Sequence, residues 1–184
     1  MFSVTKSFTS ALILGLAEDK VIDLDEMVST YIPELASTAF GDATVQHIMD
    51  MTNSIYYDET YDDPERDIGR YFTAFFPGGS GLYHHLVTLD KKLSDYSHGE
   101  AFQYVTPDTE VLGWIIRRVT GRSVAENLEV RLWQPMGAEF SANYMLDPAG
   151  IELSGAGLSM SLRDAARFGQ MILSNGNYNG QQVL

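Results

Sequence analysis

Apolar positions recur at helical spacing from the first residues of the chain. Val4, Phe8, Ala11, Leu12, Gly15 and Leu16 form one stripe, and Ile13 and Leu14 make the remaining faces apolar as well. Such a helix belongs inside the protein, with Ser3 as its N-cap and Glu18-Asp19-Lys20 as the polar turn that ends it. The pattern then predicts a short helix over residues 23–31, stopped by Pro33, and another capped by Thr44 that carries Val45, Ile48, Met49 and Met51. Periodicity lapses over residues 56–67, where Asp58, Glu59, Asp62, Asp63, Glu65 and Asp67 lie among tyrosines. This reads as a solvated acidic loop leading into a helix near residues 68–75.

Pro77-Gly78-Gly79-Ser80-Gly81 is the strongest loop signal, followed by a helical pattern over residues 82–93. We read it as a loop inside one domain, because neither side offers a balanced set of elements. The clearest helix spans residues 107–120. Thr106 is its N-cap, Pro107 stands at N1, and Asp108 complements the positive end of the dipole. Val111, Leu112, Ile115, Ile116 and Val119 form its core face, Arg117 and Arg118 sit near its negative end, and Gly121 stops it. Ser123 with Glu126, and Ser161 with Asp164, have the spacing of capping boxes. Strand signals are few and short, over residues 102–105, 142–146 and 157–160, so the chain is expected to be mostly α.

Charge narrows the functions available. The 184 residues hold 12 Lys and Arg against 25 Asp and Glu, a formal charge of −13, with no basic run to reverse it locally. A surface of that sign repels phosphate backbones and anionic lipid, which argues against nucleic-acid and membrane partners. No apolar run has bilayer-spanning length. The absence of cysteine removes thiolate metal sites and a cysteine nucleophile, but leaves the compartment open, as does the lack of a leader pattern at the first residues.

Ser3-Val4-Thr5-Lys6 is a Ser-x-x-Lys arrangement whose i and i+3 residues share one side of a helical turn. A serine attacks well only when a neighbouring base takes its proton, and an amine is a base only when neutral. The dry helix around Lys6 and the positive end of its dipole both favour that neutral form. Alone the motif says little, since roughly one chance occurrence is expected in a chain this long. An N-cap serine with a snorkelling lysine has the same spacing. Tyr104, two residues before a helix start, can relay a proton between a lysine and a leaving group, or equally pack beneath the helix.

Taken together, these stretches resemble the serine β-lactamase-like superfamily. This superfamily includes class C β-lactamases, D-alanyl-D-alanine carboxypeptidases, family VIII carboxylesterases and, most similar, 6-aminohexanoate-dimer hydrolase-like proteins. Besides Ser3 to Phe8, the resemblance includes Thr44-Val45-Gln46-His47-Ile48, Tyr104-Val105-Thr106 opening its helix, Pro135-Met136-Gly137, Gly155-Ala156-Gly157-Leu158 and Arg163-Asp164-Ala165-Ala166-Arg167-Phe168-Gly169. Thr106 departs from the family's frequent Asn, and Asn53-Ser54 from its usual Ser-Gly.

The resemblance implies the helical portion of the α/β β-lactamase-like (penicillin-binding protein transpeptidase-like) fold. Residues 1–184 would then be a partial domain, with N-terminal strands and a C-terminal sheet segment lying outside the chain. That segment would carry the third motif, Lys-Thr-Gly or His-x-Gly, and one oxyanion-hole amide. Weak or no turnover is expected of these residues alone, and an exposed apolar flank along residues 4–16. The resemblance implies Ser3 as acyl-forming nucleophile, Lys6 as its base and Tyr104 as general acid/base. The substrate is a small amide or ester, met by Thr106 and attracted by Asp58 and Glu59, with no metal or cofactor. The competing reading is a non-catalytic binding or sensor domain on the same scaffold.

His84 and His85 are adjacent on a helix and point about 100° apart, which suits a shared metal poorly. His47 and His98 read as ordinary hydrogen-bonded residues. Tyr56, Tyr57, Tyr61, Phe75 and Phe76 are candidates for pocket walls or core.

Overall fold

The computed structural model describes residues 1–93 and 95–184. Eight helices, α1 (Thr5–Glu18), α2 (Val28–Tyr31), α3 (Val45–Met49), α4 (Asp67–Phe75), α5 (Leu82–Leu86), α6 (Thr106–Thr120), α7 (Val124–Leu128) and α8 (Leu162–Leu173), carry most of the regular structure among the described residues. Strands β1 (Asn143–Tyr144) and β2 (Leu158–Ser159) pair antiparallel, with Asn143 opposite Ser159. Strands β3 (Asn177–Tyr178) and β4 (Gln181–Gln182) form a separate hairpin. The chain is therefore mostly α, as its periodicity predicts.

Helix α6 is the central element, packed against both α1 and α3. Residues 106–116 of it are buried throughout, so its polar members there must find partners within the protein. Phe8 on α1 stacks on Phe168 of α8 at 3.9 Å between ring centroids, and Tyr83 stacks on Trp114 at 4.0 Å. Gly121 ends α6 in the left-handed region at φ +66°.

Several expectations are corrected. Ser3 is not the N-cap of α1: residues Phe2–Val4 form a 3-10 turn, α1 starts at Thr5, and Val4 takes the cap position without a side-chain bond. Residues 23–27 are not helical, because the Asp23 side chain accepts the Asp25 N–H and Met27 bridges to Thr44. The helix after the glycine-rich loop ends at Leu86, since residues 89–93 bond elsewhere: Leu89 O accepts from Ala39 N, Lys91 O from Tyr56 N, and Leu93 N donates to Ser54 O. No strand forms over residues 102–105, where Gln103 N donates to Met51 O.

Thr106 is not a cap either. Val105 is the N-cap, and Thr106 is the first helical residue, its hydroxyl turned to Glu59. Ser161 caps α8 as the spacing predicts, but Asp164 does not reach back to the cap amide. Its carboxylate accepts the N–H groups of Glu139 and Phe140. Along α1, Val4 and Leu14 are about half exposed and edge an apolar groove of 630 Å³ that also includes Met49, Phe168 and Ile172. No helix among the described residues is long and apolar enough to cross a membrane.

Candidate active site

The first turn of the chain sets a hydroxyl outside and an amine inside. Ser3 is exposed in its 3-10 turn, whereas Lys6, one residue into α1, is only 8% exposed. Lys6 Nζ donates to Ser3 Oγ at 3.1 Å and to the Gly155 carbonyl at 2.8 Å. The i, i+3 spacing thus brings the two groups together as the sequence predicts. The same 3.1 Å contact lets the Ser3 hydroxyl donate to Nζ when the amine is neutral.

Tyr104 covers the other side of the lysine. Its ring centroid lies 5.2 Å from Lys6 Nζ, within cation–π range, and the residue is 36% exposed. It leads into α6, whose start is held by the acidic loop. Glu59 accepts the Thr106 N–H at 3.0 Å, the Thr106 hydroxyl, and the Tyr61 hydroxyl at 2.6 Å. Partial desolvation of its hydroxyl, then the bond to Glu59, pushes the Tyr61 phenol up to about 12, although the ring is largely exposed. Asp58 is differently placed: it pairs with Arg66 at 2.8 Å. The two adjacent carboxylates therefore divide, one neutralised by a guanidinium and one bonded only to neutral groups.

Two buried carboxylates on α6 escape a reading based on motifs. Asp108 is wholly buried and accepts from Asn53 Nδ2 at 3.0 Å, while its Oδ2 and Asn53 Oδ1 lack protein partners. Burial pushes the Asp108 carboxyl well up, opposed by the Asn53 bond. Glu110 accepts from Tyr71, Ser154 and Gly155. A signal for both was in the sequence: charged residues one helical turn from Leu112, Gly113 and Trp114.

Histidines serve the framework. His47 completes a capping box with Thr44, whose Oγ1 accepts the His47 N–H at 3.1 Å while His47 Nδ1 accepts the Thr44 N–H at 3.2 Å. Ser54, His98 and Asp42 stand in the order of a hydrolytic triad, with His98 Nε2 at 3.1 Å from Asp42 and Nδ1 at 3.3 Å from Ser54 Oγ. The Nδ1 lone pair, however, takes the Ser54 backbone N–H at the shorter 2.9 Å, and Lys92 shares Asp42. That arrangement is a loop clip. Of the aromatic candidates, Tyr57 and Phe75 are core, whereas Tyr56, Tyr61 and Phe76 are exposed.

A serine and a buried lysine thus lie one helical turn apart, with a tyrosine ring just before a second helix set against the amine. The chain belongs to the Beta-lactamase family, which it matches over residues 1–184.

It is 33% identical to the 6-aminohexanoate-dimer hydrolase of Paenarthrobacter ureafaciens, over 100% of this chain and 47% of that protein. A candidate 6-aminohexanoate-dimer hydrolase from Bacillus anthracis superposes with a TM-score of 0.88 at 40% identity, covering all of this chain and 50% of the other. EstCE1, a hydrolase with promiscuous acyltransferase activity, shares the fold at a TM-score of 0.79 and 16% identity, over 100% of this chain and 60% of its own. The chain thus spans about half the length of the two 6-aminohexanoate-dimer hydrolases it matches.

Proposed function

We propose that this chain carries the acylating machinery of a serine hydrolase that cleaves a small amide or ester bond. The reading is supported above all by the 3.1 Å contact between the exposed Ser3 hydroxyl and the buried Lys6 amine, which holds a second bond to Gly155. Neutral Lys6 takes the hydroxyl proton as Ser3 Oγ attacks the substrate carbonyl. Tyr104, lying against the same amine, passes the proton to the departing nitrogen or oxygen as the acyl-serine forms. Water then attacks the acyl group by the reverse proton path.

Linear amides bearing a free ammonium group are the proposed substrate class. Glu59 supports this, because its charge meets only the neutral Thr106 and Tyr61 and remains available to draw a cation toward Tyr104. Asp58 and Thr106 flank it, Asp58 paired with Arg66 and Thr106 holding the Glu59 carboxylate in place.

The test is covalent. A fluorophosphonate applied to the complete gene product carrying these residues is expected to add to Ser3, located by peptide mass spectrometry, and to leave Ser3→Ala unlabelled. Absence of an adduct at Ser3 in the unaltered protein would favour a binding or sensor domain instead.

A further inference from the structure

Glu110 performs no step in that chemistry, yet a carboxylate this deep in the protein is costly unless its oxygens are matched. It is 2% exposed, and no cation pairs with it at salt-bridge distance among the described residues. Three donors meet it instead: the Tyr71 hydroxyl at 2.6 Å and the Gly155 N–H at 2.8 Å on Oε1, and the Ser154 N–H at 2.9 Å on Oε2. The two amides belong to consecutive residues, so the carboxylate grips the backbone turn itself. A Cβ at position 155 would lie 2.9 Å from Oε1, so a larger residue there would push the carboxylate off the turn. The opposite side of the same residue is the carbonyl that accepts Lys6 Nζ.

We infer that Glu110 is a positioning residue for Lys6: by fixing the 154–155 backbone it aims the Gly155 carbonyl at Nζ, and so turns the amine toward Ser3. The inference rests on the acyl-serine reading above. A neutral amine has two N–H donors and one lone pair. The Gly155 carbonyl occupies one donor at a fixed point, which leaves the lone pair free to meet the Ser3 hydroxyl. Were that carbonyl loose, Nζ would rotate about its terminal bond and present a donor to Ser3 as readily as the lone pair. Glutamate suits the task because its carboxylate accepts on both oxygens, and helix α6 holds it rigidly. Glutamine has one acceptor oxygen and one amide nitrogen, so it cannot receive the two backbone N–H groups on separate oxygens as the carboxylate does.

The experiment compares rates of fluorophosphonate labelling at Ser3 in the complete gene product, for the wild type, Glu110→Gln, Lys6→Ala and the double variant. Kinetics with a p-nitrophenyl ester run in parallel. Glu110→Gln is expected to fold by circular dichroism and to label about 10- to 100-fold more slowly. Its KM should stay within about twofold, because the carboxylate faces backbone and not substrate. In the Lys6→Ala background the same change should have no further effect, since the inferred route from Glu110 to Ser3 runs through Nζ.

Equal labelling of the wild type and folded Glu110→Gln would overturn the inference while leaving the hydrolase reading intact. So would an equal slowing with and without Lys6. Should Glu110→Gln not fold, Tyr71→Phe removes one bond from the carboxylate. It must then show a several-fold, Lys6-dependent slowing, and an unchanged rate would overturn the inference. Only an unlabelled wild type would bring down both proposals.

Discussion

Glu59 and Thr106, 47 residues apart in sequence, are joined twice: the backbone N–H and the hydroxyl of the threonine both donate to the glutamate carboxylate. The acidic loop is thereby fastened to the start of α6, two residues from Tyr104. Glu59→Ala should lower stability by roughly 1–3 kcal/mol, read from a denaturant midpoint, because a helix-end donor loses its partner. Glu59→Gln keeps an acceptor and removes the charge. It should raise KM for an amide with a free ammonium by about threefold to tenfold and leave a neutral ester unchanged. Asp58→Asn, whose carboxylate is already neutralised by Arg66, should show no such selectivity.

Tyr104 offers two separable contributions, its ring against Lys6 and its phenol toward a leaving group. Tyr104→Phe keeps the first. Turnover of amides is expected to fall by about 10²- to 10⁴-fold, as for loss of a general acid. Esters with a good leaving group such as p-nitrophenolate should be affected far less, since they need little proton assistance. Equal losses on both substrates in steady-state assays would count against the phenol.

Glu110 also sets a dependence of stability on pH. Burial raises its carboxyl to about 7 from an ordinary 4.5, against the opposing pull of the Tyr71, Gly155 and Ser154 hydrogen bonds. Between those two values the folded chain holds a proton that the unfolded chain has released, so this group's contribution falls as pH rises through the window. Wild type should therefore lose stability relative to Glu110→Gln from pH 4.5 to 7, by roughly 1.4 kcal/mol per pKa unit of difference. A gap that does not vary with pH, in urea melts at several pH values, would refute it.

Asp164 is fully buried and tied to four partners: the Glu139 and Phe140 amides at 2.8 and 3.1 Å, the Ser161 hydroxyl at 2.7 Å and Arg167 at 2.7 Å. Burial opposes its charge, but these bonds together hold the carboxyl below its usual range. Asp164→Ala should cost about 3–5 kcal/mol, because it leaves buried donors and a guanidinium unmatched. A thermal midpoint within a few degrees of wild type would show the network to be dispensable.

Much of this was readable in the residues, because local rules fixed it. The stripe of α1, the cap at Thr44, the core face of α6 and its stop at Gly121 follow from periodicity and helix-end chemistry, and Ser3 meets Lys6 because i and i+3 share a turn. What escaped depends on residues far apart. Thr106 has the look of a cap, and only the presence of Glu59 beside it redirects the hydroxyl. Asp164 sits at capping-box spacing, but the orphan amides at 139–140 compete for it and win. The hairpin β3–β4 was legible and overlooked: Asn179-Gly180 joins its strands with φ of +50° and +82°, the left-handed pair that a tight two-residue turn demands. Glu110 was visible only as a charge on an apolar face, and its purpose emerges when residues 154–155 arrive against it.

The bond from Lys6 to Gly155 spans 149 positions of the chain. The hydroxyl and the amine share one turn, whereas the carbonyl that holds the amine reaches them only when residues 154–155 have packed back against that turn. The orientation of this amine is thus a property of long-range closure and not of its own helix, so a helix signal alone would not report it.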